Sequence, residues 1–193
     1  MRKVTLYIEC SSTYIGKKPR LSGYVLEYIT HDLPVTGQAF REGSGTYNQE
    51  YLLTIADALG HMKEPVELLI CGSNRFVLNM IRDRLRIWAE HDFISNGKPI
   101  VNKDEWQAVW EKIKEHKVSI QIGKHSYSGW LLTEMEDRNA IKENERVKGS
   151  TEMESRNKDP ENTEGSGHDR NHANGSDLQE AERLSGGLCG TAL

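Results

Sequence analysis

The sequence predicts an α/β fold in which a mixed five-stranded sheet, three antiparallel strands followed by parallel strands, is flanked by helices. Three observations support this: apolar residues that alternate near the N-terminus, a nearly continuous apolar run in mid-chain, and several amphipathic helical stripes. Composition changes sharply near Asp137, after which aliphatic and aromatic residues become rare. We therefore predict one folded domain over residues 1–136 and a disordered polar tail over residues 137–193.

The first three elements are predicted to be strands of an antiparallel meander. Apolar residues alternate with polar or semi-polar neighbours over residues 3–10, as in a strand with one face in a core. Two more β-rich runs, residues 23–29 and 35–40, are separated by a short polar connection that contains Pro34. This spacing is typical of hairpin-connected strands.

The next two elements are a helix and a buried strand. Apolar residues repeat at helical spacing from Leu52 to Met62, and Gly60 and Pro65 mark the exit of this helix. Residues 66–71 form an apolar run of the length expected for a strand covered on both faces. We expect this strand to be central and parallel to the first.

Two further amphipathic stripes and a last strand complete the predicted domain. The stripes cover residues 76–88 and 106–113, and the second of them is entered through Asn102. Residues 118–122 alternate as a strand. The predicted order is β-β-β-α-β-α-α-β.

The polar segment after Asp137 has too few apolar residues to offset its chain entropy by burial. A short helix over residues 140–147 is the alternative, because Lys142 and Arg146 are four residues apart, although no apolar stripe accompanies them. We expect a solvated linker or tail.

Charge is evenly balanced in the predicted domain. The chain has 25 Lys and Arg against 29 Asp and Glu, and residues 1–136 hold 17 of each sign. A neutral domain lacks the overall electrostatic signature of nucleic-acid binding, so such binding would depend on a local patch.

The cysteines and the hydropathy pattern indicate a soluble cytoplasmic protein. Cys10, Cys71 and Cys189 have no C-x-x-C spacing, and the first two lie in apolar strand-like runs, so we expect reduced thiols. No apolar run approaches the ~18 residues of a membrane span, and the N-terminal apolar pattern is too short for a signal peptide.

Three local sequences carry a resemblance to a known family. Residues 96–107 read Asn-Gly-Lys-Pro-Ile-Val-Asn-Lys-Asp-Glu-Trp-Gln, residues 46–53 read Thr-Tyr-Asn-Gln-Glu-Tyr-Leu-Leu, and residues 7–11 read Tyr-Ile-Glu-Cys-Ser. These are similar to the patterns G-K-P-V-x-N-x-D-L-W-Q, T-N-N-R-x-E-L and Y-T-D-G-S of the type 1 ribonuclease H family. The resemblance extends from about Val4 to about Glu136.

The resemblance implies cleavage of the RNA strand of an RNA/DNA hybrid by two divalent ions, Mg²⁺ or Mn²⁺, held by four carboxylates. The first carboxylate falls on Glu9, one methylene longer than the family's Asp. The second falls on Tyr51, and Glu50 lies one residue earlier, ~100° around a helix. The third falls on Gly72, which has no side chain. Glu9 and Glu50 are therefore the candidate metal ligands.

The fourth carboxylate should open the last helix after a loop that contains a histidine. His125 is the candidate for that histidine, with an exposed polar residue as the alternative, but the sequence after it lacks the H-A-G-x-x-x-N-x-x-A-D pattern. Glu134 and Glu136 are the candidate substitutes for the carboxylate.

The same resemblance suggests nucleic-acid contacts. An alternating-arginine helix with spaced aromatic residues resembles the family's basic handle, although such a helix is also typical of a solvated face. The candidate contacts are Ser11, Asn48, Gln49, Ser73, Arg82, Arg84, Trp88 and Lys98.

The sequence thus predicts a catalytically degenerate ribonuclease H-like domain that binds nucleic acid, with RNA/DNA hybrid as the expected partner. An active ribonuclease that uses Glu9, Glu50 and Glu134 or Glu136 in a rearranged site is one alternative. A structural or protein-interaction domain without nucleic-acid affinity is another, favoured by the neutral charge.

Overall fold

The computed structural model describes residues 1–30 and 33–156, and their side chains up to residue 146. In chain order the elements are β1 (Lys3–Cys10), β2 (Arg20–Thr30), β3 (Leu33–Gly43), α1 (Tyr47–Gly60), β4 (Glu67–Gly72), α2 (Arg75–Asp83), α3 (Leu85–Glu90), β5 (Ile94–Ser95), β6 (Lys98–Pro99), α4 (Lys103–Ile113), β7 (Lys117–Ile122) and α5 (Ser128–Arg156).

The main sheet has five strands in the order β3-β2-β1-β4-β7. β1 pairs antiparallel with β2 and parallel with β4, β2 pairs antiparallel with β3, and β4 pairs parallel with β7. The predicted mixed sheet is confirmed, and the apolar mid-chain strand β4 is an interior strand between β1 and β7, parallel to β1 as predicted. Its register sets Ile8 beside Gly72, so the carboxyl ends of β1 and β4 meet.

Each face of the sheet is covered by helices. The larger core lies where α1, α2 and α4 pack on one face, and it contains the inward side chains Val4, Leu6 and Ile8 of β1. On the other face α5 packs through Leu131 and Met135 against residues of β2. At the carboxyl ends of β1 and β4 the chain brings together the starts of three helices, α1, α2 and α5.

Several predicted boundaries were wrong. The stripe over residues 76–88 is two helices, because the chain breaks at Arg84, where φ is −129° and ψ is −30°. The hairpin β5–β6 was missed, since its strands have two residues each, joined by Asn96 and Gly97 at positive φ. Pro34 lies inside β3 rather than in a connection, which an edge strand tolerates because its outward N–H positions need no partner.

The helix α5 continues through the predicted domain boundary at residues 136 and 137 and ends at Arg156. Residues beyond that boundary contact the domain: the Arg138 guanidinium lies 4.2 Å from the centre of the Phe40 ring, and Lys142 pairs with Glu42. The short helix weighed for residues 140–147 is part of this longer one. The remainder of the predicted disordered tail, residues 157–193, lies outside the described residues.

Among the described residues, no helix has both the length and the apolar character needed to cross a bilayer.

Candidate functional site

Glu9 is the centre of a buried polar cluster at the carboxyl end of β1. The residue is only 5% exposed. Ser73, just after β4, donates its hydroxyl to Glu9 Oε2 at 2.7 Å, and Ser128, the first residue of α5, donates to Glu9 Oε1 at 2.7 Å. Both carboxylate oxygens therefore already accept a hydrogen bond from the protein.

His125 approaches the same carboxylate oxygen of Glu9 as Ser128 does, Oε1. Its Nε2 is 3.4 Å from Glu9 Oε1 and 3.3 Å from the Ile8 carbonyl oxygen, and its side chain is 1% exposed. Its Nδ1 is buried and has no hydrogen-bond partner among the described residues. The backbone N–H of His125 donates to Ser128 Oγ at 3.0 Å, so the turn between the two residues is tight.

Two tyrosines next to His125, Tyr7 and Tyr127, are both anchored by Glu27 of β2. Tyr127 donates its hydroxyl to Glu27 Oε2 at 2.8 Å, and Tyr7 donates to Glu27 Oε1 at 3.3 Å. The Tyr7 ring lies 5.1 Å from the His125 ring, centre to centre. Burial is the first cause that raises the pKa of Tyr7, and the hydrogen bond to Glu27 is the first cause for Tyr127. Both phenols therefore stay neutral donors.

Tyr51 fills the space between β1 and β4. It is fully buried, and its hydroxyl donates to the Ile8 carbonyl oxygen at 3.4 Å. A Cβ atom added at Gly72 would lie 1.7 Å from the Tyr51 hydroxyl oxygen. Burial raises the pKa of Tyr51 well above its usual value of 10.0, so the phenol is neutral. One neutral side chain thus occupies the region of two expected carboxylates.

Tyr47 adds another neutral hydroxyl to the cluster. Its oxygen lies 3.5 Å from Ser73 Oγ, and its ring packs edge-on to Tyr51 at 5.9 Å between centres. Burial raises the pKa of Tyr47 to about 12. The described surroundings of Glu9 are therefore hydroxyl groups and an imidazole, not further carboxylates.

Glu50 lies elsewhere, beside the end of β3. Its carboxylate pairs with the Arg41 guanidinium at 2.5 Å and accepts the Gly45 N–H at 2.7 Å. The residue is 4% exposed, so these partners satisfy a buried charge. Among the residues that the structure describes, Glu50 and Glu9 share no hydrogen-bond partner.

Glu134 and Glu136 lie further along α5 than the residue that contacts Glu9. Glu134 pairs with Arg138 one turn later, at 3.7 Å, and Glu136 is exposed. At 1.5 Å of rise per residue, six residues separate Glu134 from Ser128 by about 9 Å along the helix axis. The structure does not bring either carboxylate to Glu9.

The polar candidates for nucleic-acid contact divide into two groups. Asn48 and Ser73 lie on the rim of the Glu9 cluster, and Asn48 Oδ1 accepts a 3.0 Å hydrogen bond from the buried Asn74 side chain. Ser11 and Gln49 are engaged within the protein, since Ser11 Oγ accepts the Leu21 N–H and Gln49 donates to Glu105.

The helical candidates are mostly occupied as well. Arg82 bonds Asp83 and Asn79, and the Trp88 ring packs against Trp106 at 5.3 Å between centres. Arg84 and Lys98 are exposed and form no ion pair among the described residues. These two are the cations of the set that remain available to phosphates.

The comparisons with known proteins decide the family. The model of the RNase H family matches residues 1–147. The chain belongs to the RNase H family. Ribonuclease HI of Haemophilus influenzae is 30% identical over 124 residues, which cover 64% of this chain and 78% of that protein. Ribonuclease H of Clostridium botulinum is 29% identical over 131 residues, covering 65% of this chain and 86% of that one.

Solved structures agree on the fold. LC9-RNase H1, described as a type 1 RNase H with the type 2 active-site motif, has a TM-score of 0.56 at 16% identity, covering 71% of this chain and 70% of that one. The N-terminal RNase H domain of a Mycobacterium tuberculosis protein has a TM-score of 0.53 at 12% identity, covering 74% of this chain and 99% of that one.

Sequence reasoning missed Ser128, Tyr47 and Asn74 as members of this RNase H site. Ser128 carried the clearest signal, because it follows His125 by three residues and opens the last helix, where the resemblance places the fourth carboxylate. Asn74 could have been found as a helix cap, since its side chain accepts the Val77 N–H in front of α2.

The RNase H residues present here do not fit a pair of divalent ions. Mg²⁺ and Mn²⁺ need several anionic oxygen ligands, whereas Glu9 is the one carboxylate of the cluster in the described part of the chain. Tyr51 fills the space beside Gly72, and Ser128 presents a hydroxyl at the start of α5. Within the described residues, no group of three or more His, Cys, Asp or Glu is arranged to hold a metal ion.

Proposed function

We propose that this chain is a catalytically degenerate RNase H domain that binds nucleic acid, RNA/DNA hybrid above all, without cutting it. The loss of cleavage is supported by the hydrogen bonds that Ser73 and Ser128 donate to the two carboxylate oxygens of Glu9. Beside them, the Tyr51 hydroxyl fills the space next to Gly72. Two-metal hydrolysis depends on clustered carboxylates for charge compensation. A single carboxylate with both oxygens engaged does not provide it.

Binding is supported by the orientation of Asn48. Asn74 is 2% exposed and donates to Asn48 Oδ1, which leaves the Asn48 amide N–H groups free to point away from Asn74. Amide N–H groups are suited to the acceptor atoms of a minor groove and to 2′-hydroxyl groups. The Val77 backbone N–H donates to Asn74 Oδ1 at 3.0 Å, and this helix cap fixes the pair in place.

Electrostatics support modest rather than tight binding. Residues 1–136 hold equal numbers of charges of each sign. Arg82 and Arg86 are paired with Asp83 and Glu90, whereas Arg84 and Lys98 of the candidate set form no ion pair among the described residues. A few phosphate contacts give a shallow but measurable salt dependence, with a slope of about −0.9 per phosphate neutralised.

The deciding experiment measures cleavage and binding on the same labelled RNA/DNA hybrid. Cleavage is assayed with Mg²⁺ and with Mn²⁺ for the wild type and Glu9→Gln, and we expect none in either. Binding is followed by fluorescence anisotropy over a KCl series, and we expect affinity to fall as salt rises. Metal-dependent cutting that Glu9→Gln abolishes would overturn the loss of catalysis and support a rearranged enzyme.

A pair of asparagine variants tests the binding surface. Asn48→Ala should weaken hybrid binding by about fivefold or more, since it removes the oriented donors. Asn139→Ala, an exposed asparagine of α5, is the matched control and should bind as the wild type does. Binding that is absent or insensitive to salt contradicts a nucleic-acid role and leaves a protein-interaction domain.

We also propose a reducing, cytoplasmic location. Cys10 and Cys71 are both buried free thiols, a state that the reducing cytosol maintains. Cys189 lies outside the described residues.

A further inference from the structure

A cavity lies at the opposite end of β1 from Glu9. It has a volume of about 550 Å³ and is bounded by the first residues of β1, by β2 and β3, and by the chain that leaves α1. Val4 lines it and precedes Glu9 by five residues, about 16 Å along a strand. The cavity therefore plays no part in the Glu9 cluster, and its volume is in the range of small-molecule sites.

The cavity exists because β3 presents almost no side chain there. Gly37 pairs with Leu26 and Ala39 pairs with Tyr24, so the two small residues lie opposite large ones of β2. A Cβ added at Gly37 would meet no atom within 4 Å, and Gly37 is not in a left-handed conformation. The backbone thus does not require glycine. Glycine inside a strand marks a bulge, a tight bend, or the close approach of a ligand or another backbone.

The lining is apolar with two tyrosine rings. Its floor is formed mainly by Val4, Tyr24, Leu26, Tyr28, Met62 and Val66. Tyr24 lines the cavity but is only 3% exposed, so its ring forms part of the buried base. Such walls favour a flat aromatic group, because aromatic rings pack well against one another.

The rim carries an excess of positive charge. Arg2 and Lys63 lie at the rim with Glu64, and His61 lies nearby. The Arg2 guanidinium is 5.4 Å from the centre of the Tyr28 ring. Neither Arg2 nor Lys63 forms an ion pair within residues 1–30 and 33–146. Two cations without an ion-pair partner in the described part of the chain, beside an apolar cavity, suit a ligand with one anionic group.

We propose that this cavity, between Gly37 of β3 and the exit of α1, binds a small planar aromatic anion. The aromatic part lies on the tyrosine-lined floor over Gly37, and the anionic group lies between Arg2 and Lys63. This site is separate from the proposed nucleic-acid surface and does not depend on it.

The test uses 8-anilinonaphthalene-1-sulfonate, a fluorescent aromatic anion, with the full chain. We expect one dye bound per chain. Gly37→Leu should fill the cavity and lower the affinity at least tenfold, while its unfolding transition shows that it is folded. Gly129→Leu is the matched control, because a Cβ there also meets no atom within 4 Å but lies on α5, and its affinity should stay within twofold of the wild type.

A comparison of a charged and a neutral dye tests whether the ligand is an anion. Arg2→Gln combined with Lys63→Gln should weaken the sulfonate dye at least fivefold and leave the neutral analogue N-phenyl-1-naphthylamine within twofold. Equal affinity of the wild type and Gly37→Leu for the dye would overturn the site. Equal weakening of the charged and neutral dyes would overturn the assignment of an anion.

Discussion

The hydroxyl of Tyr51 occupies the space that a Cβ atom at Gly72 would need. A side chain that began at position 72 would place its Cβ 1.7 Å from the Tyr51 oxygen, and 3.0 Å from the Ile8 carbonyl oxygen. Two of the substitutions that separate this site from the family's carboxylate pattern, Tyr51 and Gly72, are therefore one structural unit. Restoring an Asp at position 72 alone cannot rebuild a metal site while Tyr51 is in place.

We predict that Gly72→Ala destabilises the fold by about 1–3 kcal/mol, because an overpacked core must shift its neighbours. Tyr51→Phe removes the clashing oxygen and should recover part of that loss in the double variant, although the ring carbon that carried the hydroxyl is still 3.1 Å away. Urea unfolding of the wild type, both single variants and the double variant gives the coupling energy. Additive losses would contradict the steric unit.

Gly37→Ala is the control for this cycle. Its added methyl group meets no atom within 4 Å, and the backbone there is not left-handed. It should be neutral or stabilise the fold by up to about 1 kcal/mol, since alanine restricts the unfolded chain. A loss at both positions would point to a general intolerance of side chains at strand glycines.

The hydrogen bond from Ser128 to Glu9 should stabilise the folded protein. Ser128→Ala removes the 2.7 Å hydrogen bond to Glu9 Oε1 and leaves this buried carboxylate oxygen without its hydroxyl donor. We expect a loss of about 1–3 kcal/mol in the free energy of unfolding. Ser126→Ala, two residues earlier and exposed, should change it by less than about 0.5 kcal/mol. Equal effects of the two variants would show that Ser128 does not stabilise the site.

The sheet could be predicted from sequence because its strands have strong periodic patterns. β1 matched the predicted Lys3–Cys10, and the apolar run of β4 indicated an interior strand covered on both faces. The break at Arg84 could not be predicted, because one continuous apolar stripe fits a single helix as well as two. The ends of β2 and β3 were also missed, since pairing between the two strands extends them past their apolar centres.

The site was harder to predict than the sheet. Aligned motifs located Glu9 and the empty position at Gly72, but not what replaces the missing carboxylates. The partners of Glu9 come from residues 73 and 128, and their approach depends on packing of α5 that no local pattern encodes. The placement of Glu50 against Arg41 likewise required the position of β3.

The pH dependence of stability should show a contribution from His116. Burial lowers its pKa below the usual 6.5, and its Nδ1 accepts the Val66 N–H at 3.2 Å. A lowered pKa favours the neutral ring in the folded state, so this stabilisation is complete above the unfolded pKa of about 6.5. It is lost as pH falls from there through the lower folded pKa.

His116→Phe, which keeps a ring but has no acceptor for the Val66 N–H, measures this contribution. At pH 7.5 the variant should be less stable by about 1 kcal/mol, the usual value of one hydrogen bond. The difference between wild type and variant in urea unfolding should shrink between pH 6.5 and pH 5. A difference that stays constant or grows on acidification contradicts the assigned direction.

The two described thiols should be unreactive in the folded protein. Burial raises the pKa of Cys10 to about 12 and that of Cys71 to about 11, so little thiolate exists near neutral pH. In a Cys189→Ser background, 5,5′-dithiobis(2-nitrobenzoic acid) at pH 8 should react at least about 100-fold more slowly with the native chain than with the chain in guanidinium. Rapid reaction of either thiol with the reagent under native conditions would show that its strand is accessible.

The last prediction concerns where the folded domain ends. Arg138 stacks on Phe40 and Lys142 pairs with Glu42, although both cations lie beyond the composition change at Asp137. A chain ending at residue 147 should unfold like the full chain, whereas one ending at residue 136 should lose about 1 kcal/mol, the combined range of a cation–π contact and an exposed ion pair. Arg138→Gln in the full chain should reproduce part of that loss. If the chains ending at 136 and 147 unfold alike, this part of α5 adds no stability, and the domain ends energetically where the composition changes.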